Sequence, residues 1–450
     1  MEILPDTDAD HPDEDVAMGL PPHQQPYRWV LLLLLWLLYF SFGVVIRSPS
    51  PLVTPIIRDL QMTYSQMGFV LGSWQMTYIV FAIAAGIIMD RWGIRRSILF
   101  GALVIGLSAL LRASAGGFFS FLFFVALFGV GGPMISIGCP KAIATWFKGQ
   151  ERGTAIGIYT TGPWIGGMVS LAATNGVVMP LTGYSWRMTF VSYGVMTLIF
   201  AGLWWLGARE VDAEAGTDRF NVPRVLAELF SVRRVRLILL SGLLSFGIMH
   251  GYFAWLPAIL ENAGMSPVRA GVASALPFLT SIPAVLIIPR YVQADYRGWL
   301  IGLLALLAGL SVVWVVVLDW PVVPGLLLFG ISGPCLMPLL VLTLMETPEV
   351  ASKYLGSATG VFFCVAEIGG FLGPVGVHLL GLQDLGAALP VDLDPHRLAG
   401  GDGLQDLLQG RRGAGCLAVH LQHHIAGLEA GTGGQGAFRH RGHLHAFTLP

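Results

Sequence analysis

The chain has 450 residues, of which 54% are hydrophobic and 12% are charged, and its formal net charge is -1. A soluble globular protein of this size does not carry so large an apolar fraction, and the near-neutral charge gives no basic footprint for nucleic acid. Four widely separated cysteines indicate no disulfide framework. The composition therefore predicts an all-α membrane protein that crosses the bilayer many times.

The first 27 residues carry seven Asp and Glu residues but no Lys or Arg. A signal peptide begins with basic residues, so this stretch does not match one. We predict a disordered, acidic tail on the cytoplasmic side.

The first apolar run, residues 29–46, gives about 27 Å of helix for a bilayer core of about 30 Å. We expect the helix to continue through Arg47 towards Ile57, with the prolines of the SPSP segment kinking or ending it. Arg47 then lies only about 6 Å beyond the centre of the span, where an unpaired charge is costly. Two interpretations stay open, because Arg47 can bind an anion or extend its long side chain to the headgroups.

Ten further apolar runs follow, and a charged segment divides them. Residues 209–236 hold six arginines, which is typical of a cytoplasmic linker between two bundles. We predict a six-helix bundle over residues 28–208 and a second bundle over 237–380 in which five helices are recognisable. The runs are residues 67–89, 97–111, 118–143, 154–179, 188–206, 237–256, 270–288, 299–318, 322–345 and 355–380.

The basic residues predict the orientation. Fifteen Lys and Arg residues fall in loops on the side of the N-terminus, whereas four fall in loops on the other side. Because cytoplasmic loops carry the excess of basic residues, we expect a cytoplasmic N-terminus in a multi-pass protein of the inner, or plasma, membrane.

Four glycines of the fifth run recur in the eleventh run at a constant offset of 203 positions. Small residues at such steps let helices pack closely in lipid. The offset predicts two similar halves related by an axis along the membrane normal. The pairs are Gly153 with Gly356, Gly157 with Gly360, Gly166 with Gly369, and Gly167 with Gly370.

Residues 86–96, GIIMDRWGIRR, form a charged loop between two apolar runs. Gly93 suits a tight turn, Gly86 a close helix contact, and Asp90 can face an arginine or the positive end of a helix. The spacing G-x-x-x-D-R-x-G-x-R-R resembles the signature loop between the second and third helices of the major facilitator superfamily. This resemblance implies the two-bundle fold of that superfamily and a gating role for Gly86, Asp90, Arg91, Gly93, Arg95 and Arg96.

Glu367 and His250 lie inside predicted helices, where polar groups are functional candidates. Glu367 can take up a proton in coupling or pair with an arginine, and a gating or structural role fits it equally well. His250 can also titrate, although an isolated histidine among apolar residues is more often simply hydrogen-bonded.

The segment GPWIGG in the fifth run resembles the core of the antiporter signature of the same superfamily. The upstream glycine stands one residue early, at Gly157, and this favours a packing role. The helix-packing candidates are Gly162, Pro163, Gly166 and Gly167.

Two longer segments, IRSPSPLVTPIIRDLQMTYSQMG and GYFAWLPAILENAGMSPVRAGVASAL, resemble the cyanate and nitroimidazole transporter subfamily, and LLRASAGG around Arg112 is similar to it as well. The resemblance implies that Arg47 faces an anion and that Tyr252 and Trp255 line the central pathway. Ser48 stands where the subfamily has a proline.

These features predict a secondary active transporter of a small solute, with a small anion as the expected substrate and alternating access as the mechanism. We expect a monomer in the lipid bilayer, with the proton as a second candidate solute and with no cofactor or metal. One alternative is a drug-type antiporter that couples efflux of a small organic compound to protons. A remote alternative is an intramembrane protease, because GISG at residues 330–333 offers Ser332 as a nucleophile and His378 as its base.

Residues 381–450 contain no apolar, uncharged window of about 18 residues, and seven of the 11 histidines lie at or beyond His396. We interpret this segment as an out-of-frame, disordered tail that replaces the twelfth helix. The alternative is a metal-binding extension that uses His420, His423, His424, His440, His443 and His445.

Overall fold

A computed structural model describes residues 27–209, 230–317, 321–347 and 355–379. These residues form helices and connecting turns, and no strand occurs among them. They all belong to one compact unit, Met1–Ala388. The predicted acidic tail, most of the predicted linker and the predicted C-terminal tail lie outside the described residues.

The N-terminal half contains six long helices. α1 ends at Arg47 and is followed by a 3-10 turn, Ser50–Leu52, and a short helix, Val53–Asp59. α5 continues through a π-helical turn, Thr174–Val178, into Met179–Leu181. The six helices are α1 (Arg28–Arg47), α2 (Tyr64–Trp92), α3 (Ile94–Arg112), α4 (Phe118–Trp146), α5 (Gly149–Ala173) and α6 (Trp186–Gly207).

The described C-terminal half contains five long helices, as the apolar runs predict. The tenth is in two pieces, Val322–Ser332 and Leu336–Met345, although its run predicts one continuous helix. The other four are α7 (Arg233–Asn262), α8 (Pro267–Tyr291), α9 (Ala294–Val317) and α11 (Leu355–Leu379), and the two-piece helix is α10.

Ten of these eleven helices, all but α2, are long and apolar enough to cross a membrane by length and composition. Four side chains of α2 lie outside the described part of the chain. The described residues therefore form a membrane protein with many spans, as the composition predicts.

Local sequence signals set the helix ends. Thr63 begins α2 with a capping box, since its side chain accepts from the Gln66 amide at 3.1 Å and Gln66 accepts from the Thr63 amide at 2.9 Å. Gly93 is the single residue between α2 and α3, and its φ of 80° is a conformation that favours glycine. The tight turn predicted at Gly93 is therefore present.

The two halves repeat the same close contacts. A side chain at Gly166 of α5 would collide with the backbone of Phe40 in α1, and one at Gly369 of α11 would collide with the backbone of Leu243 in α7. Leu243 lies 203 positions after Phe40, which is the offset of the glycines themselves. The close packing of α5 on α1 therefore recurs as the packing of α11 on α7.

A second contact recurs between the second and fourth helices of each half. The Thr77 hydroxyl of α2 donates to the carbonyl of Ala126 in α4 at 2.5 Å, and the Thr280 hydroxyl of α8 donates to that of Leu327 in α10 at 3.0 Å. Thr280 also lies 203 positions after Thr77. The structure thus supports the internal repeat with contacts other than those of the glycines.

The halves meet along two helix pairs, α2 with α11 and α5 with α8. A side chain at Gly68, early in α2, would lie 2.9 Å from the Pro374 carbonyl oxygen late in α11. At the same end, Thr54 donates to Glu261 at 2.7 Å, and Asn175 donates to the Pro267 carbonyl at 3.1 Å. The two halves are in contact at the end of the molecule that carries the α1–α2 and α7–α8 connections.

At the opposite end, the ion pairs recorded among the described residues stay within one half. Arg28 pairs with Glu151 in the N-terminal half, and Arg297 pairs with Glu346 in the C-terminal half. The carboxylate of Glu346 accepts hydrogen bonds from Arg297, and these lower the pKa of Glu346 below its ordinary value.

Candidate functional site

Arg47 is the last residue of α1, and its position is set by the break that follows. Ser48 caps the helix, with its amide donating to the Val44 carbonyl at 2.9 Å and its hydroxyl donating to the Val45 carbonyl at 2.8 Å. Arg112 of α3 also donates to the Val45 carbonyl, at 2.9 Å. These contacts fix the turn of backbone from which the Arg47 side chain leaves.

The Arg47 guanidinium faces the C-terminal half. Its central carbon lies 5.0 Å from the centre of the Phe253 ring in α7, which is a cation–π contact. Within the described part of the chain no carbonyl or carboxylate accepts a hydrogen bond from Arg47, and part of its surface stays accessible. This cation therefore keeps most of its donors available.

Glu367 of α11 supplies a carboxylate to the same region. It lies within electrostatic range of Arg47 and of the Tyr39 and Tyr78 hydroxyls, although no ion pair joins it to Arg47 among the described residues. The side chain is only 9% exposed, and its Oε2 atom has no hydrogen-bond partner. A buried polar atom without a partner is costly, so this carboxylate is a strong candidate for contact with a ligand or a proton.

Gln75 of α2 lies beside Glu367 and joins the two halves. Its amide nitrogen donates to the Gly370 carbonyl at 3.2 Å, and its Oε1 atom is buried without a partner. A side chain added at Gly370 would lie 3.2 Å from Glu367 Oε2 and 3.3 Å from Gln75 Nε2. The glycine at 370 thus keeps the space open in which these two polar groups lie.

His250 of α7 interacts electrostatically with Arg47. Its Nδ1 atom lies 3.1 Å from the Phe246 carbonyl, and its ring packs against Trp74 of α2 at 5.8 Å between centres. Because a carbonyl can only accept, this contact requires a proton on Nδ1 and leaves Nε2 as an acceptor in the neutral ring.

A chain of aromatic contacts begins at the ring that lies against Arg47. Phe253 contacts Phe278 of α8 at 4.7 Å between ring centres, and Phe278 contacts Trp164 of α5 at 5.8 Å. A side chain at Gly167 would meet both Arg47 and Phe278 at 3.2 Å, so this glycine admits the arginine to the aromatic wall.

The other two predicted pathway residues, Tyr252 and Trp255, have recorded contacts of their own. Tyr252 stacks on Phe329 of α10 at 3.9 Å, and its hydroxyl is buried without a partner. Trp255 is fully buried at the contact between the halves, where its indole nitrogen donates to the Pro374 carbonyl at 2.8 Å. Tyr252 therefore packs within the C-terminal half, and Trp255 helps to close one end of the molecule.

The site combines a cation from α1, a carboxylate from α11 and aromatic rings from both halves, within a protein of many spans. A model of the Major Facilitator Superfamily matches residues 35–374. This chain belongs to the Major Facilitator Superfamily. The fold implied by its signature loop is thereby confirmed.

Two transporters that are similar to this chain share about a quarter of the aligned residues with it. The Hexuronate transporter of Bacillus subtilis (strain 168) is 26% identical over 246 residues, which cover 52% of this chain and 57% of that protein. The Quinolone resistance transporter of Acinetobacter baumannii is 24% identical over 350 residues, which cover 72% of this chain and 80% of that protein. The chain thus spans little more than half the length of the hexuronate transporter.

The fold is also similar to that of a crystal structure of a bacterial homologue of the human lysosomal transporter Spinster, in an inward-facing and unoccupied conformation. The TM-score is 0.62 at 18% identity, and the match covers 85% of this chain and 91% of that structure. At this identity the likeness shows the fold alone.

The superfamily and these relatives are transporters rather than enzymes, and this overturns the protease interpretation. Ser332 is fully buried, and its hydroxyl donates to the Leu328 carbonyl at 2.8 Å. The side chain of its supposed base, His378, lies outside the described residues.

In the superfamily signature loop, Arg95 connects α3 to α6. Arg95 donates to the Trp205 carbonyl at 2.5 Å and stacks over the Trp205 ring at 4.4 Å, while Arg91 and Arg96 are exposed. The side-chain positions of Gly86 and Asp90 lie outside the described part of the structure, so the contact suggested for Asp90 stays a prediction.

The fifth-helix residues Gly162, Pro163 and Gly166 all face α1. A side chain at Gly43 would collide with the Pro163 backbone, and one at Gly162 would lie 3.2 Å from the backbone of Phe40 and of Trp36. Gly167 differs, because it faces Arg47. The geometry therefore allows two roles for this segment. It lets α5 pack closely on α1, and it leaves room for the Arg47 side chain.

Several site residues were not predicted from the sequence. The constant offset of 203 was a signal for them, since it relates Arg47 to His250, Gln75 to Phe278, and Trp164 to Glu367. The burial of Arg112, which is only 1% exposed, was not predicted either. The further site residues are Tyr39, Trp74, Gln75, Tyr78, Trp164, Phe253 and Phe278.

Proposed function

We propose that this protein is a secondary active transporter of a small anion and that Arg47 is the residue that binds it. The main observation in support is the position of the Arg47 guanidinium. It lies at the end of an interrupted membrane helix, and no acceptor for it occurs among the described residues. An arginine presents a planar fork of donors that suits a carboxylate or another small anion.

The comparisons support this proposal. A hexuronate is a carboxylate anion, and the transporter named for it is similar to about half of this chain. The helix-1 and helix-7 segments that resemble cyanate and nitroimidazole transporters also contain Arg47 and Phe253. We place the chain near that subfamily on these segments.

We also propose that the two halves rock about this site, which is the alternating-access mechanism. Contacts between the halves occur at the end with Thr54 and Glu261, and the distribution of basic residues favours the outer side for this end. The signature loop with Asp90 then lies on the cytoplasmic side, where it can bias one arrangement of the halves. A maleimide probe on a cysteine placed at Gly216 should react only from the cytoplasm, and labelling from outside would refute the orientation.

Glu367 is the proposed coupling residue. It is a buried carboxylate within electrostatic range of Arg47, so binding at the arginine changes the field that this carboxylate experiences. Transport driven by a proton gradient should then be lost in Glu367→Gln, whereas exchange of substrate at equal concentrations should persist. Loss of both activities would assign Glu367 to binding alone.

The main experiment is uptake into proteoliposomes together with ligand-induced thermal stabilisation. We expect Arg47→Ala to weaken binding of the transported anion by about 10- to 100-fold, since a hydrogen bond to a charged group contributes about 1.5–3 kcal/mol. Arg47→Lys should keep part of the affinity because it retains the charge without the fork. The matched control is Arg269→Ala, which removes an exposed arginine at the outer end.

An unchanged affinity in Arg47→Ala would overturn the assignment. A screen of nitrate, cyanate, glucuronate and benzoate on the wild-type protein supplies the anion for this comparison.

Proton-coupled efflux of a small organic compound is the second candidate function. The quinolone resistance transporter favours it, because its similarity covers more of this chain than that of the hexuronate transporter. Export of a fluorescent organic compound that stops when the proton gradient is removed would support efflux. Uptake of an anion in the direction of its coupled gradient would exclude it as the main activity.

A further inference from the structure

The central region holds one cation and one carboxylate, and neither has a bonding partner in the described part of the chain. Arg47 lacks an acceptor, and Glu367 Oε2 is buried without a donor. The two groups belong to different halves, α1 and α11. They interact electrostatically, yet no ion pair joins them. The site therefore contains a guanidinium and a carboxylate, one from each half, and each can accept a further partner.

A simple anion satisfies only one of these groups. When it binds at Arg47, its own negative charge lies near the Glu367 carboxylate, and like charges at close range disfavour each other. The buried Oε2 atom also stays without a donor, and that costs free energy. A ligand that carries an ammonium group as well as a carboxylate removes both costs, because the ammonium supplies hydrogen-bond donors and a positive charge.

The walls next to each charge fit the two ends of such a ligand. The Phe253 ring lies against the Arg47 guanidinium, and Phe278 and Trp164 extend this apolar ring surface. Tyr39 and Tyr78 lie in electrostatic range of Glu367, and aromatic rings with hydroxyl groups are favourable neighbours for an ammonium.

We infer that the preferred ligand of this site is a zwitterion with an aromatic or apolar body, whose carboxylate binds Arg47 and whose ammonium group binds Glu367. The inference rests on the proposed function, because it takes Arg47 as the anion ligand. It narrows the expected ligand from a small anion to an amino-carboxylate. The unpartnered Oε1 atom of Gln75 is then a further acceptor for the ammonium group.

The test uses four matched probes on the purified full chain. 4-(Aminomethyl)benzoate and 3-(aminomethyl)benzoate carry both charges at two spacings. 4-Methylbenzoate lacks the ammonium group, and 4-methylbenzylamine lacks the carboxylate. Dissociation constants come from thermal-shift titrations at pH 7 and are checked by calorimetry. We expect at least one zwitterion to bind about tenfold or more tightly than 4-methylbenzoate, the equivalent of about 1.4 kcal/mol.

Two variants assign the charges. Glu367→Gln should remove the preference for the zwitterion and leave the affinity for 4-methylbenzoate equal or higher, whereas Arg47→Ala should weaken both carboxylates. Glu151→Gln, which removes an exposed carboxylate that pairs with Arg28, is the control and should leave the ratio unchanged. If Glu367→Gln does not fold, Glu367→Asp keeps the charge at a shorter reach and should lower the ratio.

The outcomes separate this inference from the proposed function. If 4-methylbenzoate binds through Arg47 as tightly as both zwitterions, the inference is wrong and the proposed function stands. If Glu367→Gln does not change the ratio of the affinities for the zwitterion and for 4-methylbenzoate, the inference is also wrong and the proposed function stands. If no carboxylate binds and Arg47→Ala changes the affinity of no anion in the screen, both ideas are wrong.

Discussion

The first helices of the two halves occupy equivalent places and end differently. α1 stops at Arg47, and the chain then passes through a turn that contains Pro49 and Pro51. α7 continues without interruption past the equivalent position, His250, to Asn262. The helices that pack on them do so in the same way. Gly166 contacts the backbone of α1, and Gly369 contacts the backbone of α7. The repeat thus preserves the contacts that hold the helices together, while the site residues differ.

The residues at three equivalent positions of the site differ between the halves. One half contributes Arg47, Gln75 and Trp164, and the other contributes His250, Phe278 and Glu367 at the same three positions. A cation therefore lies opposite a carboxylate across the contact between the halves. A strictly symmetric protein would have identical residues at these equivalent positions. We therefore attribute the selectivity for the ligand to this asymmetry.

The largest expected effect comes from breaking the shared packing. Gly166→Ala places a methyl group against the Phe40 backbone, which cannot move without shifting α1. Overpacking of this kind costs about 1–3 kcal/mol or more. We expect a clear fall in Tm in detergent, and a similar fall for Gly369→Ala in the other half.

Gly157→Ala is the matched control, because no atom lies within 4 Å of the added group and alanine is the better helix former. A Tm for Gly166→Ala as high as that of the control would show that the helices separate easily, and the repeat would then carry no packing role.

A smaller effect should follow from loosening the break in α1. Arg112 is buried without a described acidic partner, and it donates to the Val45 carbonyl and to the Ser48 hydroxyl on either side of Arg47. Arg112→Met removes these bonds and also relieves the cost of a buried charge. We expect Tm to change little, while the affinity of the anion falls about fivefold, the equivalent of about 1 kcal/mol.

The measurement is a binding titration with Tm recorded on the same samples, and Arg269→Met is the control. Partial recovery in Arg112→Lys would support a positioning role. Unchanged affinity in Arg112→Met would show that the α1 break holds Arg47 without help from α3.

The smallest effect concerns the two arginines that begin the third helix of each half. Arg95 binds a backbone carbonyl of α6, whereas Arg297 binds the Glu346 carboxylate. Because Arg297 lowers the pKa of Glu346 in the folded protein, this pair stabilises the fold above the ordinary pKa of a glutamate, about 4.3. The stabilisation is lost as the pH falls through the lowered value.

We therefore expect the wild-type Tm to fall slightly more steeply in acid than that of Glu346→Gln, with the two curves converging at low pH. The difference at neutral pH should be small, since the carboxylate is largely exposed. Parallel curves over the whole acid range would contradict the role of this pair.

The sequence by itself predicted the helix positions, the two halves and the tight turn at Gly93. These features follow from local rules, because apolar length decides which segments enter lipid and a positive φ selects glycine. The superfamily resemblance added the fold, and the position of a charged residue, Arg47, inside an apolar span was enough to mark it as a candidate.

Only the tertiary structure decided how the site is assembled. Gln75 and Glu367 are far apart in sequence, and no local pattern shows that α2 packs on α11 with Gly370 between them. The burial of Arg112 and the closure around Trp255 were equally invisible, because a basic or aromatic residue at a helix end has the same local sequence whether it faces water, lipid or protein. Contacts between helices depend on how the two halves pack together. The sequence repeat indicates that two halves exist, but it does not determine how they are placed relative to each other.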